Sequence, residues 1–142
     1  MTASLRSMTI DDYPSVTELW RRTEGIGLGD SDTREAIEAF LLRNPAMSVV
    51  AEEPSGKLAG AVLCGHDGRR GYLHHLAVSA SHRNAGVAAR LVAWCLERLV
   101  LARIPKCNVF LFEQNVTGAA FWEHNEWAPR DDLRVFQKLL RV

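Results

Sequence analysis

No sign of charge predominates: Lys plus Arg and Asp plus Glu number 17 each in 142 residues. Nucleic acids and anionic membrane surfaces reward a basic excess, so this balance argues against either partner. No apolar run approaches the roughly 20 residues that span a bilayer. The opening MTASLRSMTIDDYP lacks the apolar stretch of a secretory signal. These absences predict a cytoplasmic chain, in which the sequon Asn115-Val116-Thr117 is void. Cysteine is scarce. Cys64, Cys95 and Cys107 are odd in number, widely spaced and without a companion His motif, which argues against a disulfide framework and against a metal site. Each sits in an apolar run and reads as a buried structural thiol. Repeats and low-complexity segments are lacking too. The length suits one domain spanning residues 1–142.

What is present is an alternation of periods. Leu5–Met8 reads as a strand, and Thr9, Asp11, Asp12 and Pro14 mark the start of a helix carrying Tyr13, Val16, Leu19 and Trp20 at helical spacing to about Arg22. Glu24–Asp30 is a glycine-rich loop. A second helix, capped near Ser31 or Asp32, carries Ile37, Phe40 and Leu41 and ends at Asn44-Pro45. Ser48–Glu52, Leu58–Cys64 and Tyr72–Val78 form a meander of three strands. Gly86–Arg103 is a strong helix closed by Pro105. The apolar run Cys107–Phe112 suits a buried central strand. Thr117–Asn125 is a short helix and Leu133–Leu140 a closing strand. A meander followed by βαβ crossovers predicts an α/β fold with a mixed sheet and helices on both faces.

The chemically informative stretch is Leu73-His-His-Leu-Ala-Val78 followed, after a five-residue link, by Arg83-Asn-Ala-Gly-Val-Ala88. A strand feeding a small-residue turn into a helix start leaves several backbone N–H groups unpaired, and the helix dipole adds positive charge there. That combination suits phosphates. Ala85, Gly86 and Ala88 let the backbone approach a bulky pyrophosphate, and Arg83 adds a fixed charge at the rim. The stretch is neither a P-loop nor a dinucleotide fingerprint. An oxidoreductase reading fares worse, because no acidic residue follows at the end of a second parallel strand.

In this respect the chain resembles the GNAT superfamily of N-acetyltransferases, from Leu5 to Leu140. Arg83, Gly86 and Ala88 match its Arg/Gln-x-x-Gly-x-Gly/Ala loop, Leu76-Ala77-Val78 matches the strand ending before it, and Asn115 with Ala119, Ala120, Phe121 and Trp122 resembles its Asn-x-x-Ala-x-x-Phe-Tyr segment. The resemblance implies the acyl-CoA N-acyltransferase fold, a mostly antiparallel mixed sheet with a central, splayed parallel pair. It also implies acetyl-CoA as cosubstrate and no metal. The pantetheine arm would lie along Leu76, Ala77 and Val78, the pyrophosphate on Arg83, Asn84, Ala85, Gly86, Val87 and Ala88, and Asn115 and Trp122 would also contact the cofactor. The acceptor would be a small-molecule or peptide amine; a homodimer is common in similar proteins.

His74 is the candidate base, since imidazole takes up a proton near neutral pH. The run His74-His75-Leu76-Ala77-Val78 is similar to arylalkylamine N-acetyltransferases, which carry a catalytic His there. Period-two geometry would put Tyr72, His74 and Leu76 on one face and His75 on the other. His75, Glu24 and Glu113 are the other candidates. The segment departs from the family at Trp122, where a proton-donating Tyr is frequent, and at Glu126-Trp127, where a glycine and an aromatic are usual. The reading that follows is acetyl transfer to a primary amine by direct attack in a ternary complex. The alternative is a weakly catalytic or non-catalytic acyl-CoA-binding module.

Overall fold

A computed structural model describes residues 2–142. The chain divides into two compact units, one running to Phe110 and the other spanning Leu111–Val142. The first unit holds β1 (Ser4–Ser7), α1 (Tyr13–Arg21), α2 (Arg34–Arg43), β2 (Val49–Glu52), β3 (Leu58–His66), β4 (Gly71–Val78), α3 (Val87–Leu101) and β5 (Cys107–Val109), with short 3-10 turns at Ile10–Asp12, Asp30–Asp32 and Ala80–His82. The second holds α4 (Val116–His124).

The sheet order is β1-β2-β3-β4-β5, antiparallel up to β4, with β4 and β5 parallel. Alternation along β3 divides its side chains between two layers. Ala61 and Leu63 join Val16, Leu19 and Trp20 of α1 and Ile37 of α2 in one core. On the other face a Cβ at Gly60 would meet Leu91 and Val87 of α3, and one at Gly71 would meet Leu99. Small residues thus let α3 lie close on the sheet. Val87, Leu91, Cys95 and Leu99 recur at helical spacing on the buried side of α3.

Local chemistry sets the helix ends. Thr33, not Ser31 or Asp32, caps α2: its hydroxyl accepts from the Ala36 N–H at 3.1 Å. At the end of α3, Arg103 turns left-handed (φ 64°) and the Ile104 N–H reaches the Leu99 carbonyl at 2.9 Å, a Schellman closure that satisfies carbonyls the helix leaves open.

Two strand expectations fail. Only Cys107–Val109 pairs in β5; Phe110 and Phe112 are 60% and 61% exposed. Leu133–Leu140 forms no strand, and Leu133, Val135, Phe136, Leu139 and Leu140 are all exposed. A run of apolar residues supplies the side chains of a strand but not its ladder partner. The parallel pair therefore lies at the end of the five-stranded sheet and not at its centre.

The start of α1 is fixed by one buried carboxylate. Asp12, 8% exposed, accepts from both terminal nitrogens of Arg6 at 2.9 and 2.8 Å and from the Thr9 N–H at 2.9 Å. Burial raises its pKa, but these hydrogen bonds and the Arg6 charge outweigh burial and leave it below the ordinary carboxylate value. The stability this contributes is fully present above the unfolded value of ~3.9 and is lost as pH falls through the lower folded value. Asp12→Ala should lower unfolding free energy at neutral pH by about 2 kcal/mol, read from the urea midpoint. The deficit should shrink toward acid; a pH-independent deficit would mean that the charge is not the cause.

Candidate active site

The site is organised by a bulge in β4. Leu63 pairs with His74 and Ala61 with Ala77, so the single residue Val62 faces two, His75 and Leu76. His75 takes up the extra length with φ 56°, a conformation an L side chain adopts at a cost of about 1–3 kcal/mol. Two contacts hold it there: His75 Nε2 lies 2.8 Å from Asp32 Oδ1, and its ring packs on Trp20 with centroids 5.0 Å apart. Asp32 is itself anchored, with Oδ2 accepting from the Gly29 N–H at 3.0 Å and its carbonyl accepting from the Tyr13 hydroxyl at 2.7 Å.

The bulge corrects the expected facing of the strand. Tyr72 and His74 do share a face, their rings stacked at 6.2 Å and 5°. Past the bulge it is Ala77, not Leu76, that joins the core with Ala61 and Leu63. His75 does not turn to the opposite side, because its ring meets Trp20 of the α1 layer. His74 and His75 therefore line one cavity of about 660 Å³ beneath α2, together with Asp30, Asp32, Phe40 and Arg43. A smaller cavity of about 310 Å³, at Arg69, Arg70 and Lys106, lies at the opposite end of β4. The His74 ring meets Phe40 edge-on at 6.1 Å and makes no hydrogen bond among the described residues. Burial, and next the proximity of His75, push its pKa below the ordinary imidazole value, against a smaller pull from Asp32. Glu24 and Glu113 are exposed loop carboxylates.

β5 accompanies β4 only over Gly71–Leu73. From His74 to Val78 β4 keeps β3 on one side and, among the described residues, has no strand on the other. This open edge leads through Ser79–His82 into the loop before α3. Asn84 and Gly86 are left-handed there (φ 63° and 79°), and Gly86 is the N-cap of α3 with no capping side chain. The first N–H groups of α3 have no acceptor inside the helix. A Cβ built on Gly86 meets nothing within 4 Å. The loop is an exposed, uncapped helix start with room above it, which fits a phosphate group. Arg83 Nε donates to the Val78 carbonyl at 3.4 Å, tying the loop to the end of β4.

No thiol in the first unit is prepared for nucleophilic work. Cys64 and Cys95 are fully buried. A hydrogen bond with Cys64, then burial, drives the Cys95 pKa far above the ordinary value. Burial pushes that of Cys107 up to about 12.

In the second unit, Asn115 caps α4, its Oδ1 accepting from the Gly118 N–H at 2.9 Å. Trp122 is 7% exposed and packs edge-on against Phe121 and Trp127, with centroids 5.0 and 4.7 Å away. Glu126 is left-handed (φ 69°), with its N–H on the Glu123 carbonyl and the Trp127 N–H on the Trp122 carbonyl. This too is a Schellman closure, and the Trp122–Trp127 contact is its usual apolar clasp.

The sequence profile of the Acetyltransferase (GNAT) family matches residues 13–126. The chain belongs to that family. Over nearly its whole length this GNAT chain is similar to curated bacterial acetyltransferases: 30% identical over 139 residues to one from Photorhabdus laumondii, covering 97% of this chain and 96% of that one, and 28% identical over 136 residues to one from Sodalis glossinidius, covering 96% and 94%. Two solved structures share the fold. A GNAT-family acetyltransferase of Staphylococcus aureus Mu50 superposes with a TM-score of 0.78 at 16% identity, covering 96% of this chain and 92% of that one. The PaiA N-acetyltransferase of Thermoplasma acidophilum, in complex with coenzyme A, gives 0.76 at 16%, covering 88% and 89%.

The resemblance seen in sequence is thus a family membership, and the acyltransferase fold is that of its structural neighbours. Sequence reasoning missed the bulge and the part of Asp32, because nothing local distinguishes a histidine about to turn left-handed. It did register Glu126 in place of the usual glycine, and the left-handed backbone explains why glycine suits that position. Glu126→Gly should stabilise the protein by about 0.5–1 kcal/mol, the relief of left-handed strain less the added freedom of the unfolded chain. A urea midpoint that stays put or falls would contradict this account of the helix end.

Proposed function

We propose that residues 1–142 form one acetyltransferase domain that moves the acetyl group of acetyl-CoA to a primary amine by direct attack in a ternary complex. The observation that carries this reading is the single course of β4: a cavity with a neutral His74 on one face, and an open edge running into an uncapped helix N-terminus. The pyrophosphate would lie on the backbone of Arg83–Ala88, where the dipole of α3 favours anions. The pantetheine arm would lie against the unpaired edge at Leu76–Val78. A backbone N–H there would polarise the thioester carbonyl as charge develops on its oxygen. The family match running through both units supports treating the chain as one domain.

In the reaction the amine nitrogen attacks the carbonyl carbon, the C–S bond breaks, and N-acetylamine and CoA result. The attacking amine must shed a proton, and His74 is the group placed to take it. Its depressed pKa keeps it neutral, and its nitrogens are not committed to other partners. No thiol is prepared for a covalent acetyl-enzyme, which favours direct attack.

Two measurements test this. Acetyl-CoA should raise Tm by mass action, and Gly86→Glu should abolish that shift by placing a carboxylate where phosphates sit. Its folded baseline should survive, since the added side chain meets open space, although the left-handed backbone costs about 1–2 kcal/mol. A full shift in the variant would move the pyrophosphate elsewhere. His74→Ala should lower turnover by about 10²–10⁴-fold with little change in acetyl-CoA affinity. In the wild type the acid limb of the rate should fall below pH ~6.5, the unperturbed imidazole value, because burial lowers the pKa. Full turnover in His74→Ala would pass the proton to His75, Glu24, Glu113 or water.

A further inference from the structure

The cavity beneath α2 is electrically polar along its length. Its wall is one face of the helix, with Ala36, Phe40 and Arg43 at spacings of four and three residues. At 1.5 Å per residue, Arg43 stands about 10 Å along the axis from Ala36. Asp30 and Asp32 lie at the N-terminal end of that wall, immediately before α2 begins. The Asp32 carboxylate is occupied by His75 and the Gly29 N–H, whereas Asp30 and Arg43 make no ion pair among the described residues. Between these ends Ile37, Phe40 and Leu63 give an apolar lining broken by the imidazoles of His74 and His75, and His74 stands against Phe40, three residues short of Arg43.

A solvated arginine at a helix C-terminus is unremarkable alone, since the dipole favours it. Here, however, it lines a largely apolar cavity that also carries the Asp30 carboxylate, free of ion pairs among the described residues, and the candidate base. A ligand of one sign leaves one end uncompensated. A ligand with both signs satisfies both, and a guanidinium fork matches a carboxylate in a bidentate way.

We propose that the acceptor is a zwitterionic amino acid: its carboxylate is held by Arg43, and its amino group lies at His74 on the side of Asp30. The amine arrives as ammonium and gives one proton to His74; its nitrogen then attacks the thioester carbon, the C–S bond breaks, and the second nitrogen proton passes to the departing thiolate, leaving the N-acetylamino acid and CoA. This inference rests on the acetyl-transfer reading and names its substrate class.

The test compares matched acceptors that differ only in the carboxylate: phenylalanine, phenylalaninamide and phenylethylamine, then glutamate, lysine and their decarboxylated amines, with release of the CoA thiol as readout. At least one amino acid should exceed its carboxylate-free partners in kcat/KM by tenfold or more. Arg43→Gln should remove that preference, lowering kcat/KM for the amino acid about 10–100-fold, chiefly through KM, with a much smaller loss for the matched amine. Arg43→Lys should restore part of the preference. The acetyl-CoA thermal shift of both variants should equal that of the wild type, which confirms an intact fold. CoA release with carboxylate-free amines alone, or an equal loss for both acceptor types in Arg43→Gln, would overturn the proposal and leave acetyl transfer standing. Absence of CoA release with every acceptor, or absence of an acetyl-CoA shift, would defeat the acetyl-transfer reading itself, and this inference with it.

Discussion

The contact on which the rest of the site depends is the bond between His75 and Asp32. It joins residues 43 positions apart, the strand β4 and the turn that precedes α2. Without a partner, a histidine has little reason to stay left-handed inside a strand, where the extended form costs less. The carboxylate, with Trp20 packed on the ring, supplies that reason. One extra residue in β4 then follows, and the parity of every side chain beyond it reverses. The bulge brings His74 and His75 to one cavity and Ala77 back into the core; the pairing of β5 has already ended, at Leu73.

The same geometry governs the charge state of His74. The neighbouring pair acts on it with opposite signs, His75 disfavouring its protonation and Asp32 favouring it. The larger influence is burial against Phe40 and Tyr72, which makes imidazolium costly. A histidine left exposed would share its first proton with solvent over much of the physiological range. One buried beside an uncompensated carboxylate would be held as a cation and be useless as a base. Because Asp32 is already engaged by His75 and the Gly29 N–H, its pull on His74 is limited; the His74 pKa stays below the ordinary imidazole value, and neither ring nitrogen is hydrogen-bonded among the described residues.

Much of this was legible in the sequence, for reasons that differ by element. The α3 helix and its loop were legible because their signals are local: the period of Val87, Leu91, Cys95 and Leu99, and small residues just before it. The meander was legible because Gly and Pro punctuate it. The Thr33 cap was misplaced by one or two residues because Ser31 and Asp32 have the same chemistry, and only tertiary contacts assign Asp32 elsewhere. Cys107–Phe112 and Leu133–Leu140 were over-read, since an apolar run says nothing of whether a neighbouring strand offers its edge. The bulge was invisible because its cause lies 43 residues upstream.

The departures from the family segment separate into two kinds once the geometry is known. Glu126 is a conformational departure: its backbone does what a glycine would do, at a cost of about 1–2 kcal/mol, and α4 still closes. Trp122 is a chemical departure. Its indole lies packed against Phe121 and Trp127, the clasp of that same helix end, and indole has no proton to give near neutral pH. A phenol at this position would therefore change the chemistry of the segment while sharing its packing. In the proposed reaction the leaving group is a thiolate, far more stable than the alkoxide or amide ion that acyl transfer from an ester or a peptide would expel. A thiolate can depart before it is protonated. The amine has no such latitude, because a protonated nitrogen has no lone pair with which to attack. The demand for proton transfer thus falls on the acceptor side, where β4 presents a half-buried His74, its pKa held below the ordinary imidazole value, to the cavity.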